Sequence, residues 1–266
     1  MSAELLLNPD LEEVKVYHHK LYQIAAISAP GPDKTLNEDS LGIAGTSDDE
    51  LIFTVADGVG GHPSGAEASR LAIQTFHDYL NQQKNGTAET MISGFEQANE
   101  AVLKMGVGAA CTLIAVHLSS DSLRYYCVGD SALKVIGGRG KEKFSSKGHS
   151  SFDLGHAAGL VEDIDEETGS ELKRELTNYL GSRSMYIEVG RFNDLAIRDL
   201  IIIGSDGLFD NCNVALAQAD QSSADLKEFC QYLYTRSKEN MLGLIQGDYP
   251  AKPDDFSLII ARLENS

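Results

Sequence analysis

Acidic residues recur where apolar runs of the chain begin or end. "LNEDS" places Glu38 and Asp39 between two such runs, "FTVADGVGGH" ends one at Asp57, and "YYCVGDS" carries Asp130 just past another. "LIIIGSDG" does the same with Asp206, and "KPDDFSLII" opens a run with Asp254 and Asp255. Carboxylates are poor strand formers and costly to bury unpaired. One aspartate at a strand end is commonly a turn residue or a helix cap, but five junctions of one kind, with Gly58, Gly129 and Gly207 beside them, ask for a common partner. Gathered carboxylates repel one another unless a cation offsets them. Carboxylate and carbonyl oxygens without a nearby His or Cys favour hard ions, so Mg²⁺ or Mn²⁺ is expected over zinc. Two such ions sharing a carboxylate, ~4 Å apart, can activate a water and stabilise charge on a transferring phosphoryl group. The chemistry expected is hydrolysis.

The elements that must hold these residues are short strands and long helices. Strand-like runs rich in β-branched and aromatic residues occur at "YQIAAIS", "SLGIAG", "LIFTVAD", "CTLIAVHLS", "LRYYCVG", "ALKVIG", "YIEVGRF", "DLIIIGSD" and "FSLIIARL". Helical spacing marks "SGAEASRLAIQTFHDYLNQQ", "AETMISGFEQANEAVLKM" and "ADLKEFCQYLYTRS", with a shorter helix around "SELKRELTNYL". Short connections such as "SSDS" argue for antiparallel hairpins. The fold class expected is an α+β layered domain, with sheets inside and helices outside.

No linker or composition break divides the 266 residues, so one domain spanning 1–266 is expected. The 40 acidic against 22 basic residues give a formal charge of -18, which repels a polyanion and speaks against nucleic acid or an anionic membrane surface as partner. The run "EDIDEE" reads as a solvated acidic surface. Cys111, Cys127, Cys212 and Cys230 form no CxxC pair and read as buried reduced thiols of a cytoplasmic protein. The start, "MSAELLLNPDLEEV", resembles neither a signal peptide nor an anchor. No apolar segment approaches the roughly 20 residues that span a bilayer.

The ordered set "KTLNEDS", "VADGVGGH", "GAACTLIAV", "YYCVGDSA", "IIIGSDGLFDN" and "DDFSLIIARL" resembles the metal-dependent protein serine/threonine phosphatases of the 2C type, most of all their bacterial branch, from about Tyr17 to Leu263. The resemblance implies a four-layer α-β-β-α sandwich with two central antiparallel sheets, preceded here by an extension over 1–16. It implies that Asp57 bridges two metal ions, that the Gly58 carbonyl ligates one, and that Asp206 and Asp254 complete the other. Glu38 and Asp39 would act through metal-bound waters, and Asp130 would hold a third, weaker ion together with Asp206. A water bridging the two metals would attack phosphorus in line, so Asp57, Asp206 and Asp254 serve catalysis through that water. The implied partners are a phosphorylated protein and an opposing serine/threonine kinase, and a monomer is expected.

Several positions depart from the family pattern. Lys34 stands where an arginine usually grips the substrate phosphate and keeps the charge without the bidentate fork. Val59 replaces a histidine found in eukaryotic members, while His62 fits the bacterial "GGH" and reads as a loop residue. Ala132 and Gly148 replace an arginine and an aspartate, and the final pair reads Asp254-Asp255, so the ligand could shift to Asp255. The segment of about 137–190 corresponds to the mobile flap, with His149 and His156 read as structural or exposed. Two other activities fit these residues. One is a catalytically weak phosphoprotein-binding relative acting as a regulatory module. The other is a hydrolase of a small phosphate ester, although no GxxxxGK[ST] or GxGxxG signature supports a nucleotide.

Overall fold

The computed structural model describes all residues except 1, 12, 21, 46–49, 60–63, 84–85, 107, 120–121, 162–163, 166–167, 170, 173–174, 222–224, 248 and 264–266. Among the described residues twelve strands are present in chain order: β1 (Ser2–Leu7), β2 (Lys15–His19), β3 (Tyr22–Ala29), β4 (Ser40–Gly45), β5 (Leu51–Ala56), β6 (Leu113–Leu118), β7 (Leu123–Val128), β8 (Ala132–Ile136), β9 (Glu142–Ser145), β10 (Glu188–Phe192), β11 (Leu200–Gly204) and β12 (Phe256–Leu263). The helices among the described residues include α1 (Gly65–Gln83), α2 (Ala88–Met105), α3 (Ser151–Ala157), α4 (Asp206–Phe209), α5 (Val214–Asp220) and α6 (Leu226–Met241). Two six-stranded sheets form, in the orders β1-β4-β5-β6-β7-β10 and β2-β3-β12-β11-β8-β9, and every pairing is antiparallel.

Alternation along the central strands creates the layers, because successive side chains point to opposite faces. In β5, Leu51, Phe53 and Val55 face the second sheet, where they meet Ile201, Ile203 and Ile259. Ile52 and Ala56 face the other way, against Ala72, Phe76, Phe95 and Ala98 of α1 and α2. Ile202, Leu258 and Ile260 pack under Leu226, Phe229 and Leu233 of α6. Three apolar seams therefore separate four layers, the α-β-β-α sandwich expected from the sequence. Buried side chains of this kind contribute roughly 1.5–3 kcal/mol each.

The helices begin and end where side chains satisfy their open backbone groups. Thr87 accepts from the Thr90 N–H to start α2, and Gly106 closes it in a left-handed turn at φ 72°. Asp225 and Glu228 form a reciprocal capping box on α6.

Three strands, β1, β2 and β9, were not expected, and all three lie at sheet edges. An edge strand is buried on few sides, so "KVYHH" and "EKFS" lack the apolar alternation that marks a central strand. The helix expected around "SELKRELTNYL" does not run through its second half. Leu176 forms a bridge with Ser150 and Leu180 one with Cys111. The backbone groups there pair with distant chain, the Leu180 N–H donating to the Cys111 carbonyl at 2.9 Å and the Thr177 N–H to that of His149 at 2.7 Å. Tertiary pairing outweighs helical spacing there.

Candidate active site

Strand register sets the carboxylates at one end of the sandwich. Ser40 pairs with Ala56, so Asp39 and Asp57 leave β4 and β5 side by side. Leu113 pairs with Val128, so the chain past β7 runs beside Thr112. That chain, through Asp130, crosses from the first sheet into β8 of the second. There Gly204 pairs with both Ala132 and Leu258, which brings Asp206 and the residues before β12 to the same end. Asp57 is held at its backbone. Its N–H donates to Thr112 Oγ1 at 2.9 Å, the Thr112 N–H donates back to the Asp57 carbonyl at 2.8 Å, and Thr112 Oγ1 lies 2.7 Å from Ser131 Oγ.

Close approach explains two of the glycines. A Cβ on Gly58 would collide with the Gly65 and Glu38 carbonyls, and one on Gly207 with the Asp255 carbonyl. Both permit backbone segments to meet without a side chain between them.

A cleft of about 420 Å³ opens here, and Lys34, Asp57, Gly58, Asp130, Asp206 and Asp254 line it. Glu38 and Asp39 lie outside its lining; Asp39 is wholly buried. Neither Asp39 oxygen makes a well-formed hydrogen bond. Burial and then the Asp255 charge push its carboxyl up to about 8, with the Ser205 and Ser257 hydroxyls close enough only to temper the shift. Burial also raises Asp57 well above the usual carboxylate range, reinforced in turn by the charges of Asp39, Asp206, Asp254 and Asp130. Asp130 is pushed up to about 8 by burial and by Asp206, with Lys252 opposing. Five aspartates from five separate junctions thus share one electrostatic neighbourhood.

That arrangement fits a hard cation. Both oxygens of Asp39 and the Oδ1 of Asp206 are buried without a well-formed hydrogen bond, and mutual repulsion of this size is relieved by positive charge. Among the described residues no three His, Cys, Asp or Glu side chains are closed into a finished cage, and two lysines already engage part of the set. Lys34 Nζ lies 2.8 Å from Asp254 Oδ1, 3.0 Å from Asp255 Oδ2 and 3.4 Å from Glu38 Oε2. Lys252 Nζ pairs with Asp206 Oδ2 and lies 2.7 Å from Asp210 Oδ2. Burial alone would lower both ammonium groups, yet Asp254 and Asp255 hold Lys34, and Asp206 and Asp210 hold Lys252, above the ordinary lysine range.

The adjacent Asp254 and Asp255 separate by task. Asp255 is buried and already accepts from the Gly31 N–H at 2.9 Å and the Glu38 N–H at 2.8 Å, so it ties that loop to the start of β12. Asp254 faces the cleft. The sequence reading missed Lys252, Asp210 and Asn211. The spacing of Asp210, four residues after Asp206 across one helical turn, was a usable signal; nothing local marks Lys252.

Elsewhere, His149 is buried and accepts from the Gly129 N–H at 3.0 Å, anchoring the 137–190 segment beside Asp130, while His156 is exposed. A side chain at Gly148 would collide with the Asp153 carboxylate, which already caps α3. His62 lies outside the described residues.

Residues 32–244 match the family described as protein phosphatase 2C. No curated protein matches the sequence. Solved structures with the same fold include the serine/threonine phosphatase of S. agalactiae, 19% identical, with a TM-score of 0.75 over 91% of this chain and 100% of that one. The PPM Ser-Thr phosphatase MsPP from Mycobacterium smegmatis, in complex with cacodylate, is 21% identical, with a TM-score of 0.71 over 91% and 98%. The catalytic domain of the serine threonine protein phosphatase PstP, in complex with two manganese ions, is 18% identical, with a TM-score of 0.71 over 92% and 99%.

Proposed function

The chain belongs to the protein phosphatase 2C family, and from that premise we propose how its acidic cleft works. The protein is a metal-dependent phosphoprotein phosphatase acting on phosphoserine and phosphothreonine. The observation that carries the site assignment is the convergence of Asp39, Asp130, Asp206 and Asp254 on Asp57. Two Mg²⁺ or Mn²⁺ ions would be held by Asp57, the Gly58 carbonyl, Asp206 and Asp254, with Glu38 and Asp39 acting behind them through ordered water. When bound, the ions offset charge on the phosphate oxygens and lower the pKa of the attacking water.

The rest is positioning by the chain. Thr112 fixes the backbone of Asp57 so that its carboxylate stays in the cleft. Asp255 fixes the Gly31–Glu38 loop, and with it Lys34. Lys34, at the cleft, offers its ammonium to the substrate phosphate. A phosphate dianion is repelled by this cleft until cations are present, so substrate and ions enter as coupled ligands.

We infer further that the protein works as a cytoplasmic monomer opposing a serine/threonine kinase. The acidic charge supports a protein substrate over a polyanion, and no helix among the described residues is long and apolar enough to cross a membrane. Hydrolysis of a phosphothreonine peptide with Mn²⁺, with chelator and by Asp57→Asn tests the site. Rapid turnover only in the first case is expected, and equal rates in all three would reject it.

A further inference from the structure

We propose that the Lys252 ammonium is a built-in cation for the Asp206–Asp210 side of the cleft, so that this chain takes up two divalent ions and forgoes the third that its carboxylates would otherwise hold. The inference rests on the metal-centre reading above and concerns what this chain adds to it.

Lys252 is fixed from both ends. Its ammonium pairs with Asp206 Oδ2 and, at 2.7 Å, with Asp210 Oδ2, and its side chain is only 19% exposed. Its backbone N–H donates to Asn211 Oδ1 at 3.1 Å, and its carbonyl accepts from Asn211 Nδ2 at 2.9 Å. Asn211 is itself 1% exposed and is held by Asn240, whose Nδ2 donates to the same Oδ1 at 3.1 Å. A surface lysine that had drifted toward an acidic patch would have no such clamp on its main chain. Pro253, next in sequence, further restricts the backbone.

The two oxygens of Asp206 are divided. Oδ2 faces the ammonium, while Oδ1 is buried with no partner and stays available to an ion on the other side. Asp130, the other carboxylate expected to share a third ion with Asp206, already feels the Lys252 charge. A fixed monovalent cation here satisfies Asp206 and Asp210 without an ion from solution. A divalent ion between the same groups would meet the ammonium at short range and be repelled.

Calorimetric titration with Mn²⁺ tests this without any assay of turnover. The natural chain and Lys252→Arg should each take up about two ions, and Lys252→Met about three, the added one weaker than the rest. Three ions on the natural chain would overturn the inference and leave the metal centre standing. So would a Lys252→Met that folds, by circular dichroism, and still takes up two. No Mn²⁺ uptake by the natural chain would overturn the metal centre and this inference together. The count on the natural chain decides even if Lys252→Met does not fold.

Discussion

The two lysine-bearing sides of the cleft use the same charge pairing and differ in how the lysine is tethered. Lys34 sits on a loop, its side chain 34% exposed, shared among Glu38, Asp254 and Asp255. Lys252 is 19% exposed, and its main chain is gripped by a buried asparagine pair. The Lys34 N–H bonds only within its own loop, to the Gly31 carbonyl at 3.0 Å, and its half-exposed ammonium can leave its carboxylates for a phosphate when ions arrive. Lys252, whose main chain is pinned at both N–H and carbonyl to the buried Asn211 side chain, stays where it is. Similar ion pairs in one pocket can thus serve unlike ends, one as substrate contact and one as fixed counter-charge.

The largest test removes what both sides share. Asp57→Asn should lower Mn²⁺-dependent phosphopeptide hydrolysis on the order of 10³-fold, measured at saturating ion. A loss of only a few-fold would mean that neither lysine flanks the reacting centre.

Next, Lys34→Gln should reduce kcat/KM by about 10- to 100-fold, mostly through KM, as expected for loss of a charged hydrogen bond worth roughly 1.5–3 kcal/mol. Lys34→Arg should keep or improve the rate, because the guanidinium fork suits phosphate. Mn²⁺ uptake should be unchanged in both variants. If Lys34→Gln instead altered the ion count, the two sides would be alike after all.

A smaller effect concerns the tether. Asn211→Ala removes the clamp on Lys252 and leaves the Gly207 and Lys252 carbonyls without their donor. Unfolding free energy should fall by roughly 1–3 kcal/mol, read by urea denaturation, with little change in the KM that reports on Lys34. A raised KM with unchanged stability would contradict this division of labour.

The smallest test is a control behind the first sheet, away from both lysines. His77 on α1 is buried, lies 2.9 Å from Thr54 Oγ1, and is held down to about 4 by burial. Its folded value lies below the 6.5 of a free imidazole. The unfolded chain therefore takes up the proton first, and stability contributed by the neutral ring is lost as pH falls below about 6.5. With Mn²⁺ bound, the natural chain should lose about 1 kcal/mol relative to His77→Gln between pH 6.5 and about 5.5. The ring signal in a nuclear magnetic resonance titration should stay neutral across that range.

Much of this was legible in the chain. The central strands declared themselves by apolar runs, and the acidic residues of the site stood out because a carboxylate at the end of such a run conflicts with its surroundings. The edge strands β1, β2 and β9 did not, since half-exposed strands carry little pattern. Nor did the short helices α3, α4 and α5, whose few turns give periodicity little to act on. The second half of "SELKRELTNYL" misled for the opposite reason, having helical spacing but backbone partners elsewhere.

Local order along the chain set which residues carry charge and which face of each strand is apolar, because alternation and turn chemistry act over a few neighbouring residues. It thereby fixed the layers and the set of carboxylates brought to one end. How that set is shared depends on the folded arrangement. Lys34 meets Asp254 across 220 positions and Lys252 meets Asp206 across 46. Ion pairs at such separations exist only after two sheets have closed on a common core, so no local pattern could announce which aspartate a lysine would hold.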